Sequence, residues 1–147
     1  MKINGSYTLT AIALDRAYAA LQDPQVLAKC IPGCESLDKI ADAEYAMKMK
    51  MALAAISGQF TGKVKLVDPS PPTTFKMIVE GNGKIGFLKG EGLLNLKPAA
   101  GNGVEVAYEG DVQGGGTLAA VGQRLIDTTS KMMIKRFFDK LKEELQP

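Results

Sequence analysis

No histidine and no tryptophan occur among the 147 residues. The missing histidine excludes a Ser-His-Asp triad, a Cys-His dyad and a histidine-ligated zinc site. Aromatic residues are few, four Tyr and five Phe, against seven methionines. The interior must therefore rely on aliphatic and thioether side chains. The two cysteines stand together in Cys30-Ile-Pro-Gly-Cys34. They are half a structural zinc site with no second pair, and a disulfide between them would close a very small loop. Both are read as free packing thiols. Long apolar runs are also missing: the longest, Met51 to Ile56, is far below the ~18 residues that span a bilayer. The start, Met1-Lys-Ile-Asn-Gly-Ser6, has no apolar stretch of the kind a secretory signal needs. Charge excess is missing too. Eighteen Lys and Arg against sixteen Asp and Glu leave a net +2, which argues against a nucleic-acid binder with a strongly basic face. What remains, 46% hydrophobic and 23% charged, is ordinary globular composition. A domain of this length buries roughly 70% of its unfolded surface, and one domain over residues 1–147 is expected.

The chain opens with period two. Ile3, Gly5, Tyr7, Leu9 and Ala11 share one face, and Lys2, Asn4, Ser6, Thr8 and Thr10 the other, as in a half-buried strand. Asp15 reads as the cap of a short helix over about 16–21. Asp23-Pro24 opens a second, ended by Pro32-Gly33. From Leu37 to Gln113 strands follow one another. Tyr45, Met47, Met49, Met51 and Leu53 alternate with Lys48 and Lys50; Phe60, Gly62, Val64 and Leu66 alternate with Lys63 and Lys65. Asp68 to Pro72 reads as a loop. Phe75, Met77 and Val79 come next, then Gly81-Asn-Gly83 as a turn. Leu88, Gly90, Gly92, Leu94 and Leu96 form one face of a further strand. Asn102-Gly103 turns the chain into Val104, Val106, Tyr108, Gly110 and Val112. This is an antiparallel sheet with one wet face.

After Gly114-Gly-Gly116 the period becomes 3.6, predicting one helix from Leu118 to Leu145, about 40 Å long. Leu118, Val121, Leu125, Thr129, Met132, Met133 and Arg136 lie along one stripe. From Ile134 the apolar positions rotate away, which leaves Phe138 and Leu145 as candidates for exposure beside Lys135, Arg136, Lys140 and Lys142. A sheet with one apolar face and one long helix to cover it predicts an α+β helix-grip fold: about seven strands curved around the C-terminal helix. Glycines 62, 90, 92 and 110 fall on the apolar face, where they permit curvature or leave room against the helix or a ligand.

Two motifs resemble a known family. Asp23-Pro-Gln-Val-Leu-Ala28 running into Cys30-Ile-Pro-Gly-Cys-Glu-Ser36, and Gly114-Gly-Gly-Thr-Leu-Ala-Ala-Val-Gly-Gln-Arg-Leu-Ile126, are similar to those of the CoxG family of carbon monoxide dehydrogenase. That family sits within the START-like or Bet v 1-like superfamily, and the resemblance covers essentially the whole chain. It implies an apolar cavity between sheet and helix. It also implies an accessory role beside a molybdenum hydroxylase such as an aerobic carbon monoxide dehydrogenase, in the cytoplasm near the inner face of the membrane. Many members continue past the long helix into a membrane-associating segment, whereas this sequence ends at Pro147, so at most weak membrane contact is expected.

The candidate cavity lining is Tyr45, Met47, Met49, Met51, Phe60, Val64, Phe75, Met77, Leu94, Val106 and Tyr108 from the sheet, with Leu125, Thr129, Met132 and Met133 from the helix. No inward position carries a charge, and the polar handles are the hydroxyls of Tyr7, Tyr45, Tyr108 and Thr129. Such a lining suits a lipid-like or quinone-like molecule; the same side chains could instead fill the space as solid core. The methionines suit either a deformable wall or gap-filling. Outside, Lys48, Lys50, Lys63, Lys65 and Lys76 form a basic stripe, opposed by Glu105, Glu109 and Asp111 on the last strand. The stripe is either a docking field or a solvated face. Without histidine or an inward carboxylate a catalytic role would fall to a tyrosine, so a carrier is expected rather than an enzyme, with no cofactor, metal or nucleic-acid partner. A small cyclase or hydrolase, and a docking protein with a filled core, are the alternatives. The oligomeric state is left open.

Overall fold

Antiparallel pairing builds the molecule outward from its period-two segments. A computed structural model describes residues 1–53, 56–120 and 122–146. The elements are β1 (Lys2–Leu9), α1 (Leu14–Leu21), α2 (Pro24–Cys30), β2 (Cys34–Ala41), β3 (Glu44–Leu53), β4 (Ile56–Ser70), β5 (Thr74–Gly83), β6 (Gly86–Ala99), β7 (Gly103–Gly115), α3 (Thr117–Ala120) and α4 (Gln123–Leu145). The strands form a curved seven-stranded sheet in the order β1-β7-β6-β5-β4-β3-β2, every pair antiparallel. β2 to β7 form a meander, and β1 returns to pair with β7.

The strand faces follow the alternation. Met47, Met49, Met51, Phe60, Val64, Phe75, Leu94 and Val106 are buried, while Lys48, Lys50, Lys63 and Lys65 are exposed and Lys76 is half-buried. Three inward rows cross the strands: Met47–Gly62–Gly81–Leu88, Tyr45–Val64–Val79–Gly90–Val112, and Leu66–Met77–Gly92–Gly110–Ile3. Each contains glycine. At Gly62 a Cβ would run into the Glu80 carbonyl oxygen, and at Gly110 into that of Glu91. The strands cross too closely there for any side chain, which lets the sheet curl.

Several boundaries differ from those the sequence predicts. Gly81 and Asn82 pair with Leu88 and Phe87, so β5 runs through the expected turn, and the reversal comes at Lys84-Ile85, between the paired Gly83 and Gly86. The positive φ that the reversal needs is at Gly86 (126°). β4 likewise continues into the expected loop. A bulge between Val67 and Ser70 absorbs Asp68, whose φ is +50°, before Ser70 pairs with Thr74. Helix α1 starts at Leu14, so Asp15 lies in its first turn and Ala13 takes the cap position. At α2 the expected cap is present: the Asp23 carboxylate accepts from the Gln25 N–H at 2.9 Å, with Pro24 at the first helical position.

The expected continuous C-terminal helix is instead two. Gly122 caps α4 with φ 92°, a value no L side chain adopts readily, so the helix breaks between α3 and α4. Val121, expected on the stripe, lies outside the described residues. The break resets the helical phase. The buried residues of α4 are Ile126, Thr129, Phe138, Leu141 and Leu145, a different line from the expected one. Phe138 and Leu145 are 3% and 5% exposed, which overturns the expectation of an apolar contact surface there. Phe138 stacks on Tyr7 with ring centroids 4.5 Å apart, and Leu145 joins the core. Lys135 pairs with Asp139 at 2.8 Å and Lys140 with Glu143 at 3.3 Å, both on the same exposed helical face.

Candidate functional site

Sheet and α4 meet tightly at one end and stand apart at the other. At the tight end, Leu141 and Leu145 join Leu9, Leu21 and Leu27 in one buried cluster, and α4 rests against α2. Tyr18 of α1 meets Phe75 edge-on at 5.6 Å and donates its hydroxyl to the Thr74 carbonyl at 2.9 Å. Further along α4 the space opens into a cavity of about 260 Å³.

Each wall has a local cause. β3 and β4 contribute Met47, Met49, Met51 and Phe60; β5 contributes Met77, Val79 and Gly81; β6 contributes Leu88, Gly90, Gly92 and Leu94. β7 and β1 supply Tyr108, Val112 and Ile3, and α4 supplies Ser130, Met133, Ile134, Phe137 and Phe138. Ile31 and Pro32 complete the lining. They are held by the Cys-Ile-Pro-Gly-Cys turn: Cys34 N–H donates to the Ile31 carbonyl at 3.1 Å, and Lys50 N–H to the Gly33 carbonyl at 2.9 Å. Gly33 has φ 75°, and a side chain there would strike the Lys50 carbonyl. The turn is thereby pinned flat on β3, with Ile31 and Pro32 over the methionines' end of the space. Lys89, Glu91 and Asp111 also border the cavity, but they alternate with the inward residues and are exposed on the outer face. Lys89 pairs there with Glu80 at 3.9 Å, and Asp111 with the N-terminal ammonium at 3.4 Å.

Of the expected lining, Met47, Met49, Met51, Phe60, Met77, Leu94, Tyr108 and Met133 stand on the cavity wall. Tyr45, Val64, Phe75 and Val106 do not. Phe75 is covered by Tyr18, and the other three are packed in the closed core. Leu125, Thr129 and Met132 miss the cavity because the phase of α4 starts afresh after Gly122. Thr129 is buried, Leu125 and Met132 are half-buried, and the helical hydroxyl on the wall is that of Ser130. Ser130, Ile134 and Phe137 follow the three-four spacing counted from Ile126, a signal present in the sequence but overridden by the apparent stripe from Leu118.

The chemistry of the wall is nearly that of hydrocarbon. Its inward polar side chains are Tyr108 and Ser130. The Tyr108 ring lies across Gly5, where an added Cβ would sit 2.6 Å from its hydroxyl oxygen. Burial, and then Tyr7, push the Tyr108 pKa above the ordinary tyrosine value. Cys30 and Cys34 are free thiols. Burial, with Glu144 adding to it, pushes Cys30 up to about 11. Cys34 is raised mainly by burial, and its Sγ donates to the Ser36 carbonyl at 3.4 Å. Neither is a ready thiolate at neutral pH. Among the described residues no group of three or more His, Cys, Asp or Glu could hold a metal ion, and no helix is long and apolar enough to cross a membrane.

Comparison with known proteins agrees with this geometry. The family of the carbon monoxide dehydrogenase G-type subunit (CoxG) matches residues 10–146. No curated protein matches the chain. Among solved structures, a conserved protein from Geobacillus kaustophilus is 32% identical with TM-score 0.93, covering 99% of this chain and 95% of that one. A START superfamily protein from Mycobacterium smegmatis has TM-score 0.75 at 12% identity, covering 98% and 96%. An aromatase/cyclase from Streptomyces sp. R1128 has TM-score 0.70 at 12% identity, covering 99% and 93%. The fold is the START-like, Bet v 1-like helix grip.

Proposed function

Starting from the fact that this chain belongs to the CoxG family of carbon monoxide dehydrogenase, we propose that it is a non-enzymatic carrier of one hydrophobic small molecule, lipid-like or quinone-like, and an accessory to a molybdenum hydroxylase. The observation that carries the reading is the cavity between the sheet and α4, with an apolar wall and two inward hydroxyls. A charged metabolite bound there would lose its hydration and gain no ionic partner, at a cost of several kcal/mol. A molecule that is mostly hydrocarbon, with one or two hydrogen-bonding atoms, loses nothing comparable. At about 260 Å³ the space lies just under the roughly 300–1,000 Å³ of drug-sized sites. It takes a ring or a short acyl segment, and a longer tail must leave through the opening. Met47, Met49, Met51, Met77 and Met133 all stand on the wall, and their unbranched thioethers adapt to changing shapes.

The accessory half of the proposal rests on the family, and with it a place near the inner face of the membrane. A catalytic reading needs an acid or base on the wall that works near neutral pH. The candidate there, Tyr108, is shifted further from neutrality. Native mass spectrometry of the purified chain, followed by solvent extraction of what it carries, tests the carrier reading. An apolar adduct lost on extraction is expected. The absence of any adduct, together with failure to bind a fluorescent acyl probe, would overturn it. Co-purification with the molybdenum enzyme of the same cell tests the accessory role.

A further inference from the structure

We infer that Gly81, Gly90 and Gly92 set the size of this cavity and that the group resting on them is a planar ring; the inference builds on the carrier reading. Five inward glycines run diagonally across the sheet. Gly62 pairs with Gly81, Gly90 and Gly92 follow on β6, and Gly92 pairs with Gly110. In sequence they look alike, but the geometry divides them. Gly62 and Gly110 are forced by the backbone, since a Cβ at either collides with a carbonyl oxygen and lies within 3 Å of the paired glycine's Cα. The other three are not forced. A Cβ at Gly81 would first meet Phe60 at 3.8 Å, one at Gly90 would meet Val112 at 4.0 Å, and one at Gly92 the Glu109 carbonyl oxygen at 3.6 Å. These are ordinary contacts, and none of the three has positive φ.

All three border the cavity, so what each of them preserves there is empty volume. Glycine inside a strand is a net loss of stability against any residue with a side chain. Three such losses side by side, unrequired by the backbone, are offset when a bound molecule occupies the space. The shape follows from the register. Gly81, Gly90 and Gly92 leave a patch of bare backbone, with Met133, Ile134 and Phe137 of α4 also on the wall. A flat ring meets such a floor over its whole face at about 3.5–4 Å, whereas a thin alkyl chain covers only a strip of it.

Thermal melts and calorimetric titration with two probes test this: fluorenone, a planar three-ring ketone, and decanol, a thin chain. Without ligand, Gly90→Ala and Gly92→Ala should each raise Tm by about 2–3 °C, as relief of a strand glycine does in a domain this size, while Gly62→Ala should lower it. Gly90→Val and Gly92→Val should weaken fluorenone by about tenfold or more and decanol far less. A fall in Tm in the two alanine variants would show that the backbone needs these glycines and would overturn the inference. Unchanged fluorenone affinity, or equal loss of both probes, would overturn it as well. A wild-type chain that binds neither probe would sink the carrier reading and this inference with it, whereas failure confined to the variants leaves the carrier reading standing.

Discussion

Met49 shows how a single position couples the strand to the ligand. It lies opposite Phe60 across β3 and β4, borders the cavity, and is flanked by the exposed Lys48 and Lys50. Because side chains alternate at period two, its inward direction is not in competition with any other register. Replacing it with lysine would set an ammonium into a wall that offers no inward carboxylate. Met49→Lys is therefore expected to weaken an acyl probe by about tenfold or more, measured by fluorescence titration on protein whose circular dichroism is unchanged. Unaltered affinity in such protein would place the site elsewhere. The direction of Met49 was legible because alternation needs only its neighbours. The meaning of the glycines was not, because an absent side chain reads the same whether backbone or ligand occupies the space. Nor was Ile31 or Pro32 legible as wall: the Cys-Ile-Pro-Gly-Cys turn stands out in the sequence, but what it lies against depends on the distant Lys50.

At the scale of elements, the long helix carries the sharpest lesson. Each residue advances its face by about 100°, so one break moves the whole stripe, and Gly122 supplies that break. The strands tolerated their misread turns because lengthening β4 or β5 by two residues leaves the faces as they were. The helix did not tolerate its misread start: the expected Thr129 and Met132 gave way to Ser130 and Met133 on the wall, and Phe138 moved from the surface to the core. Phe138 now ties α4 to β1 through Tyr7, with Phe137 edge-on at 5.2 Å. Phe138→Ala should cost about 3–5 kcal/mol, the usual range for removing a buried phenyl ring, read as a lower midpoint in urea unfolding. It should also enlarge the cavity and loosen probe binding. A loss below about 1 kcal/mol would mean that the ring is not buried as described.

For the molecule as a whole, the absence of histidine removes the side chain whose unperturbed pKa lies between pH 5 and 8. The shifted acids of the interior all move upward: Cys30, Cys34, Tyr18 and Tyr108, each chiefly through burial. Their common direction sets where the fold responds to pH. Below about pH 9 folded and unfolded chains both keep the Cys30 proton, and no stability depends on it. As pH rises toward about 11, the unfolded chain releases a proton that the folded chain still holds, so unfolding gains with every step in pH. The two tyrosines, raised from a higher ordinary value, extend the same trend upward. Urea midpoints measured between pH 7 and 11 should therefore fall above about pH 9, with no histidine-driven step near neutrality. Cys30→Ala starts from a lower midpoint, since it empties a buried site, but its decline should be shallower because the largest of these titrations is gone. An identical slope in wild type and Cys30→Ala would show that the thiol does not titrate in this window, and that the closed end of the core, where α2 meets α4, admits more water than its burial indicates.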